Sequence, residues 1–192
     1  MSNKIFLIFL ITLTTFILVV ILFFKTKDEK NTITIKSIEK SQNCLIKIEK
    51  KIVRGNSLEP LIKDGEIIEV LFGYYNCNPI QRNDIVLYFY SGNKNPIIKI
   101  IKGIPGDKFS LKKTNKGWYI LINGEILKNS QNQPYILDKR AYKVLSLYEK
   151  DYKGIIPEDT YLILGNLPQG SIDSSYFGLV GKKDILGKVR VK

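Results

Sequence analysis

Residues Trp118–Leu127 read WYILINGEIL, and this stretch decides the fold class. Two apolar runs flank the pair Asn123-Gly124, which is the strongest short signal for a tight turn between antiparallel strands. An antiparallel hairpin is therefore predicted here. Short runs rich in β-branched and aromatic residues, punctuated by turn residues, lie on both sides of it, at 45–53, 67–71, 84–90, 161–164 and 185–191.

One later segment has helical rather than strand periodicity. Its apolar residues recur at i, i+3, i+4 and i+7, and these are Ala141, Val144, Leu145 and Tyr148. This spacing is typical of an amphipathic helix. The fold class predicted is mostly β, an antiparallel β-sheet domain with one short helix, carried on a single N-terminal transmembrane helix.

The transmembrane prediction comes from Ile5–Phe24, which contains no charged residue. A helix of this length spans roughly 30 Å, the thickness of the hydrocarbon core of a bilayer. No small residue suitable for signal-peptide cleavage follows in Leu22–Lys27. We therefore expect an uncleaved anchor at 1–24, a polar stalk at 25–43 and one catalytic β domain at 44–192.

The net charge of +12 raises the question of a nucleic-acid partner. The lysines are spread along the chain, and no basic run alternates with aromatic residues, so no nucleic-acid binding is expected. Basic residues after the anchor are instead expected near anionic lipid headgroups, which makes the bilayer a predicted partner: Lys25, Lys27, Lys30, Lys36 and Lys40.

Cys44 and Cys77 are the only cysteines of the chain. Outside the cytoplasm they are candidates for one disulfide, and two buried thiols are the alternative. The chain has no histidine and no CxxC pair, so neither a metal site nor another cofactor is expected.

Two segments carry the candidate chemistry. Gly55–Pro60 places Ser57 in a predicted tight loop, and Ile97–Ile101 places Lys99 among isoleucines. Without an imidazole, a serine nucleophile needs another base, and a buried amine is the obvious one. Lowering the lysine pKa by ~3 pH units takes about 4 kcal/mol, which burial can supply. The alternatives are an ordinary turn serine and an edge-strand lysine facing water.

Four blocks in order, covering nearly the whole chain, resemble the type I signal peptidases. These are membrane-anchored Ser-Lys endopeptidases that remove signal peptides from exported proteins. The block at 55–60 is similar to the family's G-x-S-M-x-P, and the block at 81–86 is similar to R-G-D-I-V. The block at 99–107 contains the lysine at the spacing of the family's general base, and the block at 170–178 is similar to S-x-D-S-R-x-x-G.

The resemblance implies that Ser57 attacks the scissile carbonyl and that its own amide forms part of the oxyanion hole. It implies that Lys99 is the general base and that Ser171 hydrogen-bonds the Lys99 amine and orients it. The other implied site residues contact the substrate or support the site structurally: Gly55, Leu58 and Ile98 in the first group, Asp173 and Ser174 in the second.

The resemblance also implies precursors carrying signal peptides as substrates, the secretion translocon as a candidate partner, and a cell-membrane location with the catalytic domain on the extracytoplasmic side. Two departures concern Asp173: Gly165–Pro168 replaces G-D-N-R, and Ser175 replaces the arginine after D-S. Two alternatives stay open. One is a narrow-specificity Ser-Lys peptidase for pilin or conjugative transfer, and the other is a catalytically silent membrane-anchored binding domain.

Overall fold

The structure is a computed structural model that describes residues 44–91, 95–168 and 171–191, together with Phe16, Ile21, Leu22, Phe24 and Lys25. The chain divides into two compact units, Met1–Leu45 and Ile46–Lys192. Apart from the five residues just named, the predicted anchor at 1–24 and stalk at 25–43 lie outside the described residues. Within the described part, no helix has the length and apolarity needed to cross a membrane.

Eleven strands are described in the second unit. The larger ones are β1 (Lys47–Ile52), β2 (Ile67–Phe72), β3 (Ile85–Tyr88), β4 (Ile97–Gly103), β5 (Phe109–Thr114), β6 (Gly117–Ile122), β9 (Thr160–Leu164) and β11 (Ile185–Arg190). Three short ones, of two residues each, are β7 (Glu125–Ile126), β8 (Ile136–Leu137) and β10 (Val180–Gly181).

The strands form two antiparallel sheets. The larger has the order β1-β2-β11-β3-β4-β9-β10, and the smaller has the order β5-β6-β7, with β8 pairing to β6. The hairpin predicted at Asn123-Gly124 joins β6 to β7, and both residues have positive φ, 55° and 86°. Asparagine and glycine tolerate this conformation. The described strand pairs are antiparallel, so the prediction of a mostly antiparallel β fold is confirmed.

The prediction of one short helix in the β domain was incomplete, because the described residues of the unit Ile46–Lys192 contain two α-helices. The helix α1 (Lys139–Asp151) contains the predicted periodic segment, and Asp138 caps it by accepting a hydrogen bond from the Ala141 backbone N–H. The second, α2 (Ser174–Phe177), is a single turn capped by Asp173. A turn of four residues is too short to show helical periodicity, so pattern analysis missed it.

Strand β5 was also absent from the predicted set. Its sequence, FSLKKT, has only two apolar residues, and the central lysines are exposed. It becomes a strand because it pairs with β6 along its whole length, from Phe109 opposite Ile122 to Thr114 opposite Gly117. Tertiary pairing thus supplies what the local sequence lacks.

Three clusters of buried residues form the core. One of them contains Leu58, Leu87, Ile100 and partly buried Ile98, so it lies under the loop that carries Ser57. Burial of Leu58, which is only 2% exposed, fixes this loop to the larger sheet.

The isoleucines of β1 do not join the core. Ile48 and Ile52 are each more than half exposed, and so is Ile67, which lies directly opposite Ile52 on β2. With Ile46, which is 44% exposed, they form an exposed aliphatic strip at one edge of the larger sheet.

Candidate active site

The loop that carries Ser57 is held in place from both sides. Gly55 has φ +90° and donates its backbone N–H to Asp64 Oδ1 at 2.7 Å. After the serine, the Leu58 carbonyl accepts hydrogen bonds from the N–H groups of Leu61 and Ile62. These contacts make a compact turn that presents the half-buried serine at its outer side.

Lys99 lies on β4, directly opposite Val86 on β3. It is only 3% exposed. Its Nζ atom lies 2.9 Å from Ser57 Oγ and also donates to the Ile98 carbonyl at 2.9 Å. The structure therefore brings together the serine and the lysine that the sequence singled out, 42 positions apart in the chain.

Burial of Lys99 lowers its pKa from the ordinary 10.5 to about 8, although the carboxylate of Asp173 acts in the opposite direction. The lower pKa corresponds to about 3 kcal/mol of preference for the neutral amine. At pH 7 it raises the neutral fraction from about 0.03% to about 10%, which makes Lys99 a usable base at neutral pH.

A second lysine, Lys102, is also buried, and burial together with the Arg82 charge lowers its pKa. Its Nζ atom contacts Asn83 Oδ1 at 3.2 Å and the Lys128 carbonyl at 3.4 Å. Neither contact is a nucleophile. The serine partner therefore distinguishes Lys99 from its neighbour on the same strand.

The hydrogen bond from Lys99 to Ser171 that the resemblance implies is not formed among the described residues. Ser171 Oγ is buried and has no hydrogen-bond partner among the described residues. The Lys99 amine is engaged by Ser57 and by the Ile98 carbonyl instead. Ser171 packs against Gly165, where a Cβ atom would come within 2.6 Å of the Ser171 hydroxyl.

Asp173 and Ser174 both join the end of β9 to α2. Asp173 is 3% exposed and accepts from the Gly165 backbone N–H at 2.9 Å, while its other oxygen accepts from the backbone and hydroxyl of Ser175. The Ser174 hydroxyl accepts from the Ile163 N–H. Ser175, which replaces the arginine of the S-x-D-S-R pattern, thus supplies Asp173 with hydrogen bonds.

An open groove of about 660 Å³ contains Ser57, Lys99 and Ser171. All three residues predicted to contact substrate line it: Gly55, Leu58 and Ile98. A second cavity of about 480 Å³ also reaches Ser171 but is not lined by Ser57 or Lys99. Because the groove alone contains the serine–lysine pair, we take it as the candidate site.

No role was predicted for Asn166, although its segment Gly165–Pro168 departs from the G-D-N-R pattern. The structure buries Asn166 completely and joins it by hydrogen bonds to Ser57 and Glu59. An asparagine in a loop before proline carries no local signal for such a role. The two cysteines, Cys44 and Cys77, are both disulfide-bonded.

The site as a whole has the composition of a serine hydrolase whose base is a lysine. The hydroxyl lies within hydrogen-bond distance of a buried amine of lowered pKa, in a groove with apolar walls. This is the arrangement of nucleophile and adjacent base that acyl transfer requires.

Comparison with known proteins identifies the family. The family profile described as signal peptidase, peptidase S26, matches residues 3–192, and the chain therefore belongs to this family of serine endopeptidases. The chain is 30% identical to a signal peptidase I of Bacillus caldolyticus over 141 residues, which are 72% of this chain and 75% of that protein.

Two further relatives were compared. The chain is 29% identical to a signal peptidase IB of Staphylococcus aureus over 148 residues, or 71% of this chain and 73% of the relative. A crystal structure of a signal peptidase I from Enterococcus faecalis V583 is 27% identical, has a TM-score of 0.39, and covers 58% of this chain and 97% of its own.

Proposed function

We propose that the protein removes N-terminal signal peptides from exported precursors, with Ser57 as the nucleophile and Lys99 as the general base. The observation that carries this proposal is the 2.9 Å contact between Ser57 Oγ and the buried Lys99 Nζ in a chain without histidine. Membership of the signal peptidase family supplies the substrate class.

The proposed reaction has two acyl-transfer steps. Neutral Lys99 accepts the Ser57 hydroxyl proton as the oxygen attacks the carbonyl carbon of the scissile bond, and the protonated amine then gives this proton to the departing amine. Water, deprotonated by Lys99, next attacks the acyl-enzyme ester. The signal peptide leaves with a new carboxylate, and Ser57 recovers its hydroxyl.

The negative charge that develops on the scissile oxygen needs a hydrogen-bond donor, and the backbone N–H of Ser57 is the candidate. Within the described part of the chain, this N–H makes no hydrogen bond, so it is available. A preorganised donor of this kind contributes several kcal/mol in acyl transfer. Ser171, which has an uncommitted hydroxyl in the same groove, is proposed to orient the Lys99 amine during turnover.

Leu58 and Ile98 are proposed to shape the part of the groove that holds the small residue before the cut. Their side chains belong to the same buried cluster and also line the groove next to Ser57. Asp173 and Ser174 support the site by fixing the end of β9 against α2.

The test uses the detergent-solubilised full chain and a precursor with an Ala-X-Ala cleavage site. Ser57→Ala and Lys99→Ala should each lower kcat by roughly 10³-fold or more, because the nucleophile and base act as one unit. Ser110→Ala and Lys112→Ala, which alter exposed residues of the same types on β5, should cleave like the wild type. Equal background cleavage by the wild type and all four variants would instead identify a catalytically silent binding domain.

A separate experiment in cells distinguishes a general enzyme from a dedicated one. Depletion of the protein in its host should leave many uncleaved precursors, measured by proteomics of new N-termini. Accumulation of a single pilin or conjugation precursor would show a narrow-specificity peptidase, because substrate choice depends on the shape of the groove.

Membrane attachment is proposed with the organisation predicted from the sequence: an anchor at 1–24, a stalk at 25–43 and a catalytic domain at 44–192 on the extracytoplasmic side. The charge-free run Ile5–Phe24 supports the anchor. On β1 the exposed Lys50 lies between Ile48 and Ile52 of the exposed aliphatic strip, as expected for a surface close to lipid. The secretion translocon, which releases the substrates there, is a proposed neighbour.

Protease treatment of intact spheroplasts tests this topology. The domain should be digested from outside, whereas a cytoplasmic marker should survive. Full protection of the domain until the membrane is lysed would contradict the proposal. The bonded state of Cys44 and Cys77 supports an oxidising compartment, and mass spectrometry of the unreduced protein should find no alkylatable thiol.

A further inference from the structure

Asn166 is a fully buried polar residue directly after Gly165 at the end of β9. A buried carboxamide destabilises a protein unless its oxygen and its two N–H groups find partners. All of these groups are satisfied here, and each partner lies in a segment distant in sequence. The position therefore serves as a junction between separate parts of the chain.

One side of this junction is the loop that carries the nucleophile. The Asn166 backbone N–H donates to the carbonyl oxygen of Ser57 at 2.6 Å. Its side-chain Nδ2 donates to the carbonyl oxygen of Glu59 at 2.9 Å, across 107 positions of sequence. Asn166 thus holds the main chain of the nucleophile itself and of the second residue after it.

The other side is the loop that follows β7. Nδ2 also donates to Ser130 Oγ at 2.7 Å, and Oδ1 accepts from the Ser130 backbone N–H at 3.0 Å. The Asn166 carbonyl accepts from Nδ2 of buried Asn129 at 2.9 Å. These bonds fix the asparagine relative to the smaller sheet, so that it is a rigid support for the nucleophile loop.

We infer that Asn166 is a positioning residue that holds Ser57 Oγ at hydrogen-bond distance from Lys99 Nζ, through its bonds to the Ser57 and Glu59 carbonyls. This inference rests on the proposed Ser57–Lys99 chemistry. Asn166 touches neither reacting atom, and it acts by fixing the loop. Such fixation matters because a misplacement of about 1 Å can lower a rate about 100-fold.

The experiment compares Asn166→Ala with the wild-type full chain in detergent, at a temperature at which both are folded. Asn166→Ala should lower kcat about 10- to 100-fold and change KM less than about threefold, because alignment of Ser57 rather than substrate binding is lost. The matched control is Asn78→Ala, which removes a 2.9 Å bond from Nδ2 to the Tyr74 carbonyl. It should change neither constant more than twofold.

A readout independent of cleavage accompanies the kinetics. Nuclear magnetic resonance of ¹⁵N-labelled lysine follows the titration of the Lys99 amine. If the loop shifts and water reaches the amine, its midpoint should rise by about half a pH unit or more in Asn166→Ala. The control Asn78→Ala should leave the midpoint unchanged. This measurement tests the positioning even if the wild type cleaves no precursor, a result that would refute only the proposed function.

A lower melting temperature for Asn166→Ala, with wild-type kcat and an unchanged Lys99 midpoint, would overturn the inference and leave Asn166 a purely structural residue. If Asn166→Ala does not fold, Ser130→Ala is measured instead. It alters an exposed residue and removes one partner of Nδ2. It should lower kcat about two- to fivefold at constant KM, and full activity would overturn the inference.

Discussion

Replacing Lys99 by methionine should make the protein more stable at neutral pH while abolishing cleavage. Burial lowers the folded-state pKa of Lys99 from 10.5 to about 8. Charging this amine in the folded state therefore destabilises the protein by about 3 kcal/mol below pH 8. Methionine has a similar length and carries no charge, so it removes this penalty.

The sign of the pH dependence follows from proton binding. Between pH 8 and 10.5 the unfolded chain binds more protons at this residue than the folded one, so wild-type stability rises with pH. The penalty is complete below pH 8 and disappears as the pH approaches 10.5. The advantage of Lys99→Met over wild type should thus shrink by about 2 to 3 kcal/mol between pH 7 and pH 10.

The absolute gain at pH 7 should be smaller than the full penalty. Methionine cannot replace the two hydrogen bonds of the amine, to Ser57 Oγ and to the Ile98 carbonyl. Each neutral bond contributes about 1 kcal/mol, which leaves a net gain of about 1 kcal/mol. The change with pH is the sharper test, because the lost bonds affect both pH values alike.

Urea titrations of the detergent-solubilised wild type and Lys99→Met provide the free energy of unfolding at each pH. Trp118, the single tryptophan, lies on β6 and reports unfolding by its fluorescence. In parallel, kcat/KM of the wild type should rise about tenfold per pH unit below 8 and level off above it. A stability difference that stays constant from pH 7 to pH 10 would refute the neutral-amine mechanism.

Two further predictions concern a glycine beside the site and a buried carboxylate elsewhere in the domain. Gly165→Ala should lower kcat about tenfold or more, because its Cβ would lie 2.6 Å from Ser171 Oγ and 2.9 Å from the Ser57 carbonyl oxygen. The control Gly181→Ala should behave like wild type in the same assay, because its Cβ would have its nearest neighbour at 3.6 Å. Wild-type kinetics for Gly165→Ala would show that the loop moves freely. Asp107→Asn should lower the free energy of unfolding at pH 7 by about 1 to 3 kcal/mol. Burial alone would raise the pKa of Asp107, but its hydrogen bonds, of which the one from Arg82 is the strongest, outweigh burial and hold the pKa below 3.8. The stabilisation by the Asp107 carboxylate is present above the ordinary pKa and is lost as the pH falls through the lowered pKa. In urea titrations, the difference in free energy of unfolding between wild type and Asp107→Asn should therefore be smaller at pH 2 than at pH 7. An equal difference at both pH values would contradict the assignment.

The sequence predicted correctly those features that depend on the conformational preferences of one or a few neighbouring residues. Asn123-Gly124 predicted its hairpin because both residues adopt positive φ at little energetic cost. Asn83, which replaces a family glycine, likewise has φ 67°. Lys99 was a candidate base because a lysine inside a run of isoleucines lies either at the edge of a sheet, facing water, or in the core. The structure buries it.

Non-local features were predicted less well. The four residues of α2 form a helix because Asp173 caps them and because they pack near β9, and neither condition is visible in their own sequence. The run at 45–53 was predicted as a strand from its composition, but its pattern alone could not show that Ile48 and Ile52 would be exposed. Which side of a strand is buried depends on what else folds against it.

The sequence by itself determined the class of fold and singled out the pair of residues proposed to react, because turn propensity, strand composition and the absence of histidine are properties of short segments and of composition. The tertiary structure alone decided the 2.9 Å contact of Ser57 with Lys99, the missing hydrogen bond at Ser171 and the position of Asn166 between two loops. These depend on distances between residues that are tens of positions apart, and only the closed sheets bring such residues together.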